Sequence, residues 1–168
     1  MIFSQFSLLL NMSLNPGADR WRQTHVGNLL ALALQRFDAR VLALMASNIN
    51  VPLALSNLAS RGHLTAAHIN ITRHLDIGGS RLTPLAARAG MTKQAMGKLV
   101  DQCSAWGLVS RADDGLDRRA KQIIFTDTGR LWLQAFHDAV VQAENELALA
   151  VGQEVAAVIA LGLEAYAA

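Results

Sequence analysis

Scarcity defines this sequence before any motif does. Its 168 residues hold one cysteine, Cys103, so no intramolecular disulfide framework exists and a reducing, cytoplasmic setting is expected. Charged residues make up 17% and aromatics 5%, against 52% hydrophobic. The apolar residues are spread as Ala and Leu over periodic segments, and no run is long enough to cross a bilayer, so no membrane partner is expected. The apolar start, Met1 to Leu10, lacks a basic leading region and a small-residue cleavage site, so it does not read as a signal peptide. Residues 1–20 are expected to be a flexible segment, with Met12 an alternative start and Asn15-Pro16-Gly17 a turn. There is no glycine-rich phosphate loop, nucleophile elbow or paired-cysteine ligand set. The chain therefore reads as a non-enzyme without a cofactor. An apolar excess in so helical a chain points to surface buried against a second subunit.

The net charge of +2 conceals an asymmetry. Residues 1–80 carry +3, residues 81–126 carry +4, and residues 127–168 carry −5. Cations gather in the middle of the chain and the C-terminal layer is acidic, which favours a polyanionic partner at the centre.

That middle stretch, Leu82 to Thr126, carries the densest local signals. Thr83 is a fitting N-cap with Pro84 at the first helical position, and Gly90 fits a C-cap. Thr92 caps a second helix one tight turn later, as a helix-turn-helix requires. Along it Met96, Leu99, Val100, Cys103 and Trp106 recur at three- and four-residue steps as a buried face, leaving Lys93, Gln94, Gly97, Lys98 and Asp101 on the other. Lys and Gln in a first turn, with Gly97 permitting close approach, suit a helix entering the major groove by its N-terminal end. Gly107 closes the helix. Leu108 to Arg111 and Gln122 to Phe125 read as strands joined through Asp113-Asp114-Gly115, with Asp117, Arg118 and Arg119 at the tip and Lys121 at the base. An arginine on a thin ribbon suits a narrow minor groove. The fold class expected is mainly α: a winged helix-turn-helix with a small β-hairpin wing and an α-helical dimerisation layer.

Outside this unit the pattern is helical. One helix is expected from about Trp21 to Ala46, with Val26, Leu30, Leu34, Phe37, Val41, Leu44 and Met45 on one face. A second runs from an Asn50 cap, with Pro52 in its first turn, to Ser60 before Gly62; a third, capped by Thr65, covers Ala66 to Leu75. Gly78-Gly79-Ser80 reads as a flexible joint. Thr126 caps a long helix from Asp127 to about Val151 with a stripe of Trp132, Phe136, Val140, Ala143 and Leu147, and Gln153 to Tyr166 form the last helix.

Three segments together, Gly90 to Asp101, Gly107 to Arg111 with Asp117-Arg118-Arg119-Ala120-Lys121, and Phe125-Thr126-Asp127-Thr128-Gly129, resemble the MarR family of bacterial transcription regulators. The family's Asp-x-Arg wing signature falls on Asp117 and Arg119. Its Leu-Thr-x-x-Gly signature appears with Phe125 in first place, and Cys103 stands where the family usually has Leu. The resemblance implies a single domain over 21–168, with dimerisation helices at 21–62 and 127–168 and the winged helix-turn-helix at 63–126. It implies a homodimeric, ligand-responsive repressor on a palindromic double-stranded DNA operator, released by a small aromatic or phenolic effector whose pocket residues are not identifiable from the sequence.

The DNA-binding candidates are Thr92, Lys93, Gln94, Gly97, Lys98, Asp117, Arg118, Arg119 and Lys121. Each has a plainer alternative as a solvated helix face or hairpin tip. Gln94 suits a base edge, the lysines phosphates or guanine, and Arg119 the minor groove, braced by Asp117. Cys103, on the apolar face, is expected to be an inert buried thiol rather than a redox sensor. His25, His63, His68, His74 and His137 lack metal-site spacing. The alternative function is a winged-helix adaptor that docks protein and reads no DNA.

Overall fold

The computed structural model describes residues 20–48, 51, 63, 65–114 and 120–168. The helix expected between Asn50 and Ser60, the N-terminal segment 1–19 and the wing tip 115–119 lie outside them. The chain divides into two compact units, Met1–Phe37 and Asp38–Ala168.

The first unit holds α1 (Trp21–Thr24) and the opening turns of α2 (Val26–Ser47). The sequence pattern predicts one unbroken helix here, but His25 adopts an extended conformation with ψ at 150° and interrupts it. The imidazole then caps the helix that follows: Asn28 N donates to His25 Nδ1 at 3.2 Å, while Asn28 Nδ2 donates back to Gln23 O at 2.8 Å. A periodicity count misses this because His is not among the residues sought as caps.

In the second unit, Val41 and Met45 of α2 are fully buried, and buried Asp38 accepts from Arg73. Arg73 lies on α3 (Ala66–His74), whose buried face is His68, Ile69, Ile71 and Thr72, with Leu75 buried just beyond. Then comes β1 (Ser80–Arg81), the helix-turn-helix pair α4 (Leu82–Arg88) and α5 (Lys93–Ala105), and strands β2 (Val109–Asp113) and β3 (Lys121–Phe125). The sheet is antiparallel in the order β1-β3-β2, with Val109 opposite Phe125 and Ser80 opposite Ile123. Leu85, Met96, Val100, Cys103, Val109 and Ile123 meet in its core at 2% exposure or less. Each such apolar side chain contributes roughly 1.5–3 kcal/mol.

Two expectations change here. Helix α4 starts at Leu82 with Arg81 as its cap and no side-chain cap bond, so Thr83 lies inside the helix. Gly78-Gly79-Ser80 is no loose joint. Gly79 has φ at 95° and sits so close to the sheet that a Cβ would lie 2.7 Å from Ile124 Cγ2. Ser80 pairs into the sheet, and its hydroxyl donates to Asp76 Oδ2 at 2.7 Å while accepting from Arg88 Nη2 at 2.7 Å. Arg88 also donates to His74 O at 2.8 Å and Asp76 Oδ2 at 2.9 Å, closing the corner.

The long helix α6 (Asp127–Val151) is capped by Thr126, whose Oγ1 accepts from Gly129 N at 3.0 Å and donates to Gly107 O. Gly129 is held against the end of the wing core: a Cβ there would fall 1.9 Å from Leu108 O. The buried seam of α6 is Trp132, Ala135, Ala139, Ala143 and Ala148, while Leu147 is 38% exposed. The sequence stripe favoured bulk, but a seam of alanines lets neighbouring backbone approach closely and moves Phe136 and Val140 to half-buried flanks. Gly152, with φ at 95°, turns the chain into α7 (Gln153–Ala167), which buries no residue. Among the described residues no single helix is long and apolar enough to cross a membrane; α6 and α7 satisfy that test only jointly, bent by 120°.

Candidate nucleic-acid interface

Helix α5 is the element around which the candidate site is built. Gly90, with φ at 61°, makes the tight turn after α4, and Thr92 Oγ1 accepts from Ala95 N at 3.2 Å, capping α5 as the sequence predicts. The helix is anchored by Met96, Leu99, Val100 and Cys103, all buried, so its orientation is fixed by the core. Half-buried Trp106 tilts against His68 with ring centroids 4.8 Å apart. His68 adds a polar tie. Thr65 N donates to its Nδ1 at 3.1 Å, which leaves Nε2 carrying the proton and donating to Gln102 Oε1 at 3.0 Å.

Opposite that anchored face, Thr92, Lys93, Gln94 and Lys98 are exposed and Gly97 half-exposed, so the helix brings together the five site residues assigned to it. Gly97 is not required by packing within the chain: a Cβ there would meet only Leu82 Cδ2, at 3.8 Å. Glycine in a helix interior costs about 1 kcal/mol relative to alanine, and here the room it leaves faces outward.

Elsewhere in the winged unit, charge is cancelled. Arg81 Nε meets buried Asp114 at 2.6 Å, Arg111 Nη2 meets Asp101 at 2.6 Å, Arg88 meets Asp76 at 2.9 Å, and Lys121 pairs with Asp113. Of the Asp113-Asp114 pair, taken from sequence as turn chemistry, Asp113 ends β2 and pairs with Lys121 across the hairpin, while Asp114, just beyond the strand, is the buried partner of Arg81. Lys121 is exposed but engaged, so it differs from the two α5 lysines. Asp117, Arg118 and Arg119 lie outside the described residues. Among the described residues of the winged unit, Lys93 and Lys98 are the cations with no carboxylate partner. They flank Gln94 at the N-terminal end of a helix whose own dipole is positive there. The arrangement can attract and grip an anionic polymer and offer an amide to a groove edge.

Residues 64–120 match the family model described as MarR family. The winged unit is a MarR-family unit. Solved structures extend the likeness in fold to most of the chain. The transcriptional repressor CouR, bound to a 23-mer DNA duplex, is 21% identical with a TM-score of 0.68, covering 89% of this chain and 97% of its own. Wild-type MarR from E. coli, in its apo form, is 19% identical with a TM-score of 0.62, covering 84% and 96%. The regulator BldR from Sulfolobus solfataricus is 18% identical with a TM-score of 0.59, covering 92% and 100%. A search of curated protein sequences finds no match. At these identities it is the MarR fold that is shared.

The MarR-like core also answers for Cys103. It is 1% exposed, and burial pushes its thiol up to about 12, so the nucleophilic thiolate is withheld near neutral pH. Beside it lies a cavity of about 10 Å³, lined by His68, Thr72, Leu108, Phe125 and Trp132 among others. That is room for one water and not for an aromatic effector. Its polar neighbours are already paired, Trp132 Nε1 donating to Thr72 Oγ1 at 3.1 Å. His74 is shifted down by desolvation, with Arg73 and Arg88 adding to it. Among the described residues no three His, Cys, Asp or Glu side chains cluster as a metal site.

Proposed function

We propose that this chain is a sequence-specific, double-stranded-DNA-binding transcription regulator that works as a homodimer in the cytoplasm. The observation that carries the reading is the charge bookkeeping of the winged unit: its other described cations are neutralised, and the two without a carboxylate partner, Lys93 and Lys98, frame Gln94 and Gly97 on the exposed face of α5. Thr92 to Lys98 enter a major groove, and the wing tip with Asp117, Arg118 and Arg119 reaches the flanking minor groove. The DNA-bound state of CouR, which has the same fold, supports this.

Dimerisation is supported by apolar exposure. In α7 Val155, Val158, Ile159, Leu161, Leu163 and Tyr166 stand 39–86% exposed, and in the first unit Val26, Leu29, Leu32 and Leu34 stand 53–70% exposed. A second copy is the occupant that would cover such surface. Two-fold symmetry then sets a palindromic operator with half-sites about one helical turn, roughly 10 bp, apart. Release by a small aromatic or phenolic effector and action as a repressor belong to the same proposal and follow from the family resemblance.

The test is fluorescence anisotropy of the purified protein on DNA from upstream of its own gene against a scrambled duplex, over a salt series. The expected result is preference for the upstream duplex and a steep log–log salt dependence, about −0.9 per phosphate neutralised. Absence of binding at low salt, with a homodimer still present by light scattering, would replace this reading with a winged-helix adaptor.

A further inference from the structure

The ion pair between Arg111 and Asp101 joins two parts of the winged unit that must straddle something if DNA is bound. Arg111 is the middle residue of β2, on the strand face that leaves Val109 buried and Arg111 exposed. Asp101 belongs to α5, on the face that also carries Gln94, Gly97 and Lys98, seven, four and three residues before it. The side chains are 46% and 69% exposed and meet through a single contact, Nη2 to Oδ1 at 2.6 Å. Nη2 is the only guanidinium nitrogen of Arg111 engaged among the described residues. The fork therefore keeps donors on Nε and Nη1 for another acceptor.

Duplex geometry decides what that acceptor is. A helix in the major groove and a wing in the adjacent minor groove lie on either side of one sugar-phosphate strand, because that strand is what separates the grooves. A cation bridging helix to wing sits over that strand. We propose that Arg111 is a further DNA-contact residue that grips the phosphates between the two grooves, and that Asp101 is its positioning residue, holding the guanidinium across the gap. The proposal rests on the DNA-binding reading above. Asp101 has a second effect in this geometry: a carboxylate on the DNA-facing side of α5 repels phosphate unless Arg111 stays beside it, so the two work as a unit.

The experiment is a salt series on wild type, Arg111→Gln, Arg111→Lys and Asp101→Asn, with anisotropy on the upstream duplex and on a random-sequence duplex of equal length. Thermal melting of each variant shows that it is folded. Arg111→Gln is expected to weaken binding to both duplexes about tenfold at 0.1 M salt and to flatten the salt slope by about 0.9, one phosphate contact. Arg111→Lys keeps the slope, and Asp101→Asn keeps it or steepens it. An Arg111→Gln slope equal to wild type, with Asp101→Asn weakening binding to the same degree, would show that the pair only braces the wing and would overturn the proposal while leaving the DNA-binding reading intact. A wild-type protein that binds neither duplex would overturn both.

Discussion

The winged unit and the C-terminal helix α7 are built on opposite principles. The winged unit covers its apolar side chains and ties its corners with charge: Arg88 closes the turn around Ser80, Arg81 holds Asp114, and Thr126 fastens α6 to the end of α5. Helix α7 has no buried residue and shows Val158 and Leu161 at 68% and 66% exposure. Its two charges, Glu154 and Glu164, are both acidic. The first is a structure a single chain can complete; the second leaves its apolar side chains uncovered, as the proposed dimer requires. An apolar helix with nothing over it is stable in water only when something else covers it, whereas a polar-tied core needs no partner.

The sharpest way to break the self-sufficient half is at its tightest contact. Gly129→Ala places a methyl where Leu108 O already stands, 1.9 Å from the ideal Cβ. Unfolding in urea is expected to lose about 3 kcal/mol or more, as for severe overpacking; a loss under 1 kcal/mol would mean that the α6 junction gives way easily. The dependent half is broken by charge. Val158→Asp with Leu161→Asp should shift light scattering from a dimer to a single chain of 18.1 kDa, weakening association by at least a hundredfold, about 2.7 kcal/mol. The winged unit should stay folded by circular dichroism, and an unchanged dimer would show that α7 is not the interface.

Smaller effects separate DNA contact from packing inside the winged unit. Lys93→Ala with Lys98→Ala is expected to reduce the salt slope of DNA binding by about 1.8 while leaving the melting temperature within a degree or so. Gly97→Ala should raise stability by about 0.5–1 kcal/mol, because a methyl there has only Leu82 Cδ2 near it at 3.8 Å, yet weaken DNA binding. Both quantities moving the same way would contradict an outward-facing role for that space. The smallest effect concerns pH. His74 is held below its ordinary 6.5 first by desolvation, then by Arg73 and Arg88. Below that value the unfolded chain binds the proton more readily than the folded one, so stability should fall as pH drops through 6.5 and hold above it. His74→Gln should flatten that part of the stability curve in chemical denaturation from pH 7 to 5.

How much of this was legible in the sequence depended on the length of each signal. The α5 face, spaced over three turns, and the Gly90 and Thr92 punctuation gave the helix-turn-helix directly, and the structure places Met96, Leu99, Val100 and Cys103 inside as their spacing implied. A two-residue strand has no period to detect, so Ser80, which opens β1, read as part of a Gly78-Gly79-Ser80 joint. The role of Arg88 is invisible to a periodicity argument because its partners, His74 O, Asp76 and Ser80, are set by a turn and not by helix spacing. Asp113 and Asp114 carried a turn signal by composition, and tertiary partners Lys121 and Arg81 claimed them instead. In α6 the expectation followed bulk, while the alanine seam reflects how near its neighbours come. For the candidate interface, the sequence nominated the α5 residues but could not say which cations are already paired with carboxylates; that distinction sets Lys93 and Lys98 apart from Lys121.

The Thr126 clamp has a mechanical meaning. One hydroxyl holds Gly107 O at the exit of α5 and Gly129 N at the start of α6, and Leu108 O presses on Gly129 from the side. No hinge is left at that corner. Helix α6, 25 residues and so about 37 Å long, behaves there as a lever soldered to α5, the helix proposed to face DNA. A tilt of about 5° along such a rod displaces its far end by about 3 Å, comparable to the rise of one base pair. Whatever tips the acidic end of α6 therefore steers α5 by the same angle, with no slack between them.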